Sequence, residues 1–254
     1  MSGFLTLAIG LLSCAPNAKQ LKEAIEKDPS IVFVAIEKDP EQFIEVVNKA
    51  AREAQARNAE NAQKEEQKAR DNEFQNPLKP QIQEGRAIKG PKDAKVTIVE
   101  YSSFECPYCA SGNETINEVL KAYPTQVRLV LKHLPLEFQP KSLPAAKYFE
   151  AIAMQNEEMA YKFKDLVFQN QSTLRSKGEA FLDEVTKKVG ANLAKVKKDL
   201  NNPKVMERIN ADREEARGFG ITGTPGFIIN GVSLRGAYPF SEFKAIIDRH
   251  LGSN

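Results

Sequence analysis

The stretch Cys106-Pro107-Tyr108-Cys109 follows closely on Lys95-Val96-Thr97-Ile98-Val99-Glu100-Tyr101, and this junction limits the fold more than any other feature of the chain. The earlier run is β-branched and aromatic, is bounded by Pro91-Lys92-Asp93, and reads as a strand. The residues after it, through Tyr123, follow a helical pattern. With two residues between them, both sulfurs fall in the first helical turn, close enough to join in a small ring. Unpaired amides and the helix dipole at that N-terminus favour thiolate on the first sulfur. Cys106 is expected to be the exposed nucleophile and Cys109, one turn inside, the resolving thiol. The competing reading is half a zinc knuckle. It needs two further ligands, and the only histidines, His133 and His250, form no paired motif. No metal and no cofactor is expected. His133, after a strand, and His250, near the end of the last helix, are expected to be structural or solvent-exposed.

Composition removes other classes. The 14 Phe, with many Val, Ile and Leu, supply ample apolar area for a core, which argues against a disordered chain. A formal charge of +2 argues against nucleic-acid binding driven by bulk electrostatics. Three cysteines in 254 residues exclude a disulfide-stapled scaffold.

One apolar run, Phe4 to Leu12, is too short to span a bilayer and excludes a polytopic membrane protein. Small residues follow it, in the layout of a secretory signal peptide. Leu11-Leu12-Ser13-Cys14 resembles a bacterial lipobox, in which Cys14 would be lipidated and become the mature N-terminus. No Lys or Arg precedes the run, and a short buried helix is the other reading. The expectation is an exported, periplasmic lipoprotein tethered at Cys14, whose mature thiols are Cys106 and Cys109.

Residues 15–75 read as a helical arm, with 10 basic and 13 acidic side chains and no glycine. The hexapeptide AIEKDP occurs at Ala24–Pro29 and again at Ala35–Pro40. Each Asp-Pro reads as a helix start, with Asp28 and Asp39 as N-caps and Pro29 and Pro40 at the first helical position. Two short helices and one long helix from about Pro40 to Glu73 are expected. The segment Ile31-Val32-Phe33-Val34 with Ile36 is apolar nearly all round, so it must be covered. Either the rest of the chain covers it, or the arm pairs copies into a homo-oligomer through residues 20–60. Residues 60–73 are expected to form a solvated spacer, and 76–89 a linker beginning at Asn76-Pro77-Leu78-Lys79-Pro80.

Glu100 six residues before Cys106, the Cys106–Cys109 pair, and Gly223-Thr224-Pro225 together resemble the DsbA family of exported thiol–disulfide oxidoreductases. The resemblance runs from Gly90 to the C-terminus. It takes in Val127 to Leu131 with Lys132-His133-Leu134-Pro135, the helical stretches Ala145 to Gln169 and Gly178 to Leu200, and Val205 to Gly231. It implies an α/β, thioredoxin-like fold with an inserted helical domain at about 143–212, preceded by the N-terminal helical arm. The domains are then 1–14 (signal or lipobox), 15–75 (arm), 76–89 (linker) and 90–254 (catalytic).

Carried over by position, the resemblance implies a cis bond before Pro225 that exposes the backbone of Thr224 to an extended substrate strand. Pro107 and Tyr108 would also meet substrate. Glu100 would lie buried beneath the dithiol, where burial favours its protonated form and lets it relay a proton for Cys109. A solvent-facing Glu100 and an ordinary trans turn at Pro225 are the plainer readings. Tyr108 stands where the strongly oxidising prototype has histidine, which implies a weaker oxidant.

The function expected is disulfide formation in cysteine-containing exported proteins, with a membrane redox partner recycling the dithiol. An oligomeric isomerase or reductase that reshuffles wrong disulfides is the alternative. A periplasmic chaperone with incidental thiols is a third reading.

Overall fold

The computed structural model describes residues 17–252, so the apolar N-terminal run and Cys14 lie outside the described residues. The chain divides into two compact units, with the boundary between Glu66 and Gln67.

The first unit is helical: α1 (Ala18–Lys27), α2 (Ser30–Lys38) and most of α3 (Pro40–Gln75). Asn17 caps α1 in a reciprocal capping box with Gln20. Asp39 caps α3 by accepting the Gln42 amide at 3.0 Å, with Pro40 at the first helical position. The first Asp-Pro differs in detail. Pro29 occupies the N-cap of α2, and the Asp28 carboxylate accepts both the amide and the hydroxyl of Ser30. None of the three helices buries a residue, and Phe33, Val34 and Val46 are each about 60% exposed.

The second unit is built on a five-stranded sheet ordered β1-β3-β2-β4-β5. β1 is Ile88–Lys89, β2 Val96–Ser102, β3 Val127–His133, β4 Gly226–Ile229 and β5 Val232–Arg235. β2 and β3 run parallel and are joined by α4 (Pro107–Ala122). A helical crossover is what parallel neighbours require. The other pairings are antiparallel. β2 sits centrally with both faces covered, so every residue but Thr97 is buried, Glu100 and Ser102 included. Ile98 joins the larger core, while Val99 and Tyr101 join a smaller cluster with Val130, Ala216 and Ile228.

Between β3 and β4 the chain makes six helices: α5 (Ser142–Ala153), α6 (Glu157–Gln169), α7 (Gln171–Lys177), α8 (Glu179–Lys188), α9 (Leu193–Asp199) and α10 (Pro203–Gly218). The last helix, α11 (Phe240–Leu251), follows β5.

Two expectations are corrected here. The final turns of α3 are not a solvated spacer. Phe74 packs on His250 with the Arg249 guanidinium 3.7 Å above its ring, and Arg70 and Asp71 pair with Glu242 and Arg249. Glu73 accepts the amide and hydroxyl of Ser233 on the edge strand β5. Charged side chains look solvated in sequence, but here each meets a partner more than 150 residues away.

Nor is 76–89 a free linker. The Leu78 amide donates to Gly231 O at 2.9 Å, Arg86 and Ala87 are buried, and Ile88–Lys89 pairs with β3. Gly231, at φ +96°, is where Pro77 passes so close that a Cβ would lie 2.3 Å from the proline ring.

Candidate active site

The loop Ser103-Phe104-Glu105 carries the chain from β2 into α4, and all three residues are buried. Cys106 is the N-cap of α4 and Pro107 its first residue, where a missing amide hydrogen is no loss. Both cysteines are free thiols. Cys109 is fully buried, and its sulfur receives the Ser103 amide at 3.5 Å. Cys106 is only 5% exposed, which corrects the expected exposed nucleophile: its Sγ lies against the loop before β4, 3.3 Å from the Thr224 carbonyl oxygen.

The Thr224–Pro225 peptide bond is cis. Pro225 packs against α4 at Gly112, where a Cβ would stand 3.3 Å from the proline ring. The Thr224 hydroxyl is buried in the same loop, turned toward the Cys106 sulfur. Pro107 and Tyr108 are the open members of the motif, Tyr108 being 68% exposed.

The two thiols are driven apart in acidity. Hydrogen bonding to the Cys109 thiol lowers Cys106 to about 5, with help from the Thr224 side chain and the amides of Tyr108 and Cys109, against burial that opposes it. Burial pushes Cys109 well above its ordinary value, and the hydrogen bond and charge of Cys106 push the same way. One sulfur is thus a ready thiolate while the other holds its proton. This occurs without a histidine in the motif.

Glu100 is completely buried on β2, but not as a lone carboxyl. Lys164 of α6 places Nζ 2.7 Å from its Oε2 and 2.8 Å from Asn113 Oδ1 of α4. Glu100 Oε1 is buried without a partner. Lys164 was not singled out from the sequence. A signal existed, because it falls on the apolar stripe Ala160, Phe163, Val167 and Phe168 of its helix.

The active-site loop is also laced to the insertion. Ser142 Oγ accepts the Glu105 amide at 3.0 Å, and the Glu105 carboxylate accepts the amides of Lys141 and Ser142. Gln171 Nε2 donates to the carbonyls of Phe104 and Cys106, each at 2.8 Å. These residues lie 36 to 67 positions apart in sequence, with no local pattern to announce the contacts.

His133 takes the structural one of its two expected places, ending β3 rather than following it: it is 1% exposed, with Nε2 2.9 Å from Glu150 Oε1 and its ring near Phe104. Arg86, Arg208 and Asp212 complete that buried cluster. His250 contacts Ile229 O at 3.1 Å. Among the described residues, no three His, Cys, Asp or Glu side chains converge as a metal ion would require.

A dithiol of split acidity at a helix N-terminus, facing a cis-proline loop on a thioredoxin sheet with a helical insertion, defines a DsbA-like arrangement. The comparisons agree. Residues 82–249 match the family described as Thioredoxin, and the chain belongs to that family. BdbD from Bacillus subtilis superposes with a TM-score of 0.61 at 20% identity, covering 69% of this chain and 97% of that one. The α-DsbA1 of Wolbachia pipientis gives a TM-score of 0.60 at 21% identity, covering 67% and 93%. At this identity the likeness concerns the fold. A curated relative, the Na(+)/H(+) antiporter NhaA of Herminiimonas arsenicoxydans, is 33% identical over 172 residues, 68% of this chain and 26% of that protein. The chain thus spans about a quarter of the length of the curated relatives it matches. Among the described residues no helix is long and apolar enough to cross a membrane.

Proposed function

We propose that the chain is an exported thiol–disulfide oxidoreductase that forms disulfides in cysteine-containing exported proteins. The observation that carries this reading is the split acidity of the dithiol, with Cys106 lowered to about 5 beside the Thr224 carbonyl. A stabilised Cys106 thiolate favours the reduced form, so the Cys106–Cys109 disulfide is driven to accept electrons. A substrate thiolate attacks the Cys106 sulfur, and Cys109 leaves as thiolate and takes up a proton. A second substrate thiolate then attacks the substrate sulfur of the mixed disulfide and releases Cys106. The substrate ends as a disulfide and the protein as a dithiol, which a membrane redox partner reoxidises. Thr224, Pro225, Pro107 and Tyr108 serve as the substrate-facing surface, and Glu100 as the proton relay for Cys109. Export, a periplasmic location and a lipid tether at Cys14 belong to the same reading.

The isomerase alternative draws on a specific observation in the first unit. Its exposed apolar side chains, Phe33, Val34, Ile44 and Val46 among them, suit pairing with a second copy through residues 20–60. Linked sites on one platform suit reshuffling.

The deciding experiment gives the purified protein either scrambled ribonuclease in a weakly reducing buffer or a reduced dithiol peptide. Rapid peptide oxidation without ribonuclease recovery is the expected result. Recovery well above buffer alone would transfer the assignment to the isomerase. Activity retained by Cys106→Ala would overturn both in favour of a chaperone.

A further inference from the structure

In the loop that presents Cys106, the helical insertion answers the Glu105 amide and the carbonyls of Phe104 and Cys106, and both carbonyls are met by a single side-chain amide. Gln171 opens α7 and is 9% exposed. Its Nε2 reaches Phe104 O and Cys106 O, each at 2.8 Å. Both neighbours are carbonyl oxygens, which can only accept, so the nitrogen must face them and each of its two hydrogens has a carbonyl of its own. The Cys106 carbonyl also accepts the amides of Cys109 and Ala110, at 3.1 and 3.3 Å, and so is held from inside α4 and from outside it.

This bridge fixes the backbone on either side of the nucleophile. Phe104 O and Cys106 O bracket the peptide units whose rotation swings the Cys106 side chain. Held as they are, Sγ keeps its place against the Thr224 loop and within reach of the Cys109 thiol, the Thr224 side chain and the amides of Tyr108 and Cys109, the donors that stabilise its thiolate. If the loop turned away, the helix would survive while the sulfur lost those donors.

We infer that Gln171 is a positioning residue for Cys106, through which the helical insertion sets the readiness of the dithiol. Gln171 touches neither sulfur and acts only through the two carbonyls. The inference rests on the reading of Cys106 as nucleophile, but its test reads the sulfur itself. A wild-type chain without exchange activity would sink the proposed function and leave this test intact.

The experiment titrates the reduced full-length protein, following thiolate absorbance in the ultraviolet, in wild type and in Gln171→Leu, which keeps the volume and removes both donors. In wild type the midpoint lies at about 5. In Gln171→Leu it rises by about one unit, a tenfold weaker acid, and iodoacetamide alkylation of Cys106 at mildly acidic pH slows in proportion. Gln171→Glu, whose carboxylate would face two carbonyls, moves the midpoint at least as far. A purely structural role would lower stability and leave the midpoint in place, and folded variants with unmoved midpoints overturn the inference. Should neither variant fold, the side-chain amide protons of Gln171 in the wild-type protein serve instead. They shift as Cys106 titrates if the coupling is real, and amide signals that stay fixed through the titration overturn it.

Discussion

Cys106 Sγ lies 3.3 Å from the carbonyl oxygen of Thr224, bringing together residues 118 positions apart. The nucleophile and the backbone proposed to hold its substrate are thus neighbours before any substrate arrives. Such a contact leaves little room, which is why Cys106 is almost covered although its motif partners Pro107 and Tyr108 are open. An extended peptide that pairs with Thr224 would bring its own sulfur to Cys106.

The acidity of Cys106 has a consequence for stability. Its thiol titrates at about 5 in the fold against an ordinary 9.0. A depressed folded value means the contribution is complete above 9, shrinks as pH falls, and vanishes below about 5. The raised value of Cys109 acts only at alkaline pH. The reduced protein should therefore gain stability relative to the oxidised protein between pH 4 and pH 7 by roughly an order of magnitude in folding equilibrium or more. Thermal melts of both forms at the two pH values measure it, and equal differences at both would contradict the assignment.

The resolving role of Cys109 is separable from the attacking role of Cys106. In Cys109→Ser the Cys106 thiolate should attack a disulfide-bearing peptide, release one peptide thiol and accumulate as the mixed disulfide, visible on a non-reducing gel. Cys106→Ser should form none, because the remaining sulfur is buried and keeps its proton.

Lys164→Met should cost about 3–5 kcal/mol in urea unfolding, since it strands the Glu100 carboxylate in a buried site. Removing both charges in Glu100→Gln/Lys164→Met should restore most of that loss. A double variant as unstable as the sum of the two singles would mean that the ions act independently.

Phe74→Ala should destabilise the second unit by about 2 kcal/mol, less than a fully buried ring would, because Phe74 is half-buried between His250 and the Arg249 guanidinium. Hydrogen exchange should quicken across residues 70–75 while β2 keeps its protection. Unchanged exchange there would show that the ion pairs of Arg70 and Asp71 hold this turn without the ring.

The arm offers a test of association. Val34→Asp with Val46→Asp places charge on apolar, exposed positions of α2 and α3. If copies pair through the arm, light scattering should report a fall to monomer mass with the catalytic unit still folded. A wild-type protein that is already monomeric would remove the pairing altogether.

Much of the catalytic unit was legible in the sequence because its signals are local. The run Lys95 to Tyr101 is β-branched and aromatic like a strand, and β2 spans Val96–Ser102. The CxxC spacing placed Cys106 at a helix start, and Asp39-Pro40 marked the beginning of α3. Local sequence carries caps and periodicity because these depend on neighbours within a turn or two. Solvation is different. Residues 70–74 look like any charged helix until Glu242, Arg249 and Ser233 are brought beside them. The segment 76–89 looks like a linker until Gly231 and β3 take up its amides.

By itself the sequence determined where the reactive sulfurs stand along the chain, because a strand, two cysteines and a helix impose their own short-range geometry. Tertiary structure alone decided what those sulfurs are chemically. The Thr224 loop nearly closed over Cys106, burial raised Cys109, and Lys164 and Gln171 came from the inserted helices to hold Glu100 and the loop carbonyls. Acidity and orientation depend on charges and hydrogen bonds within a few ångströms, and folding supplies those neighbours from distant parts of the chain.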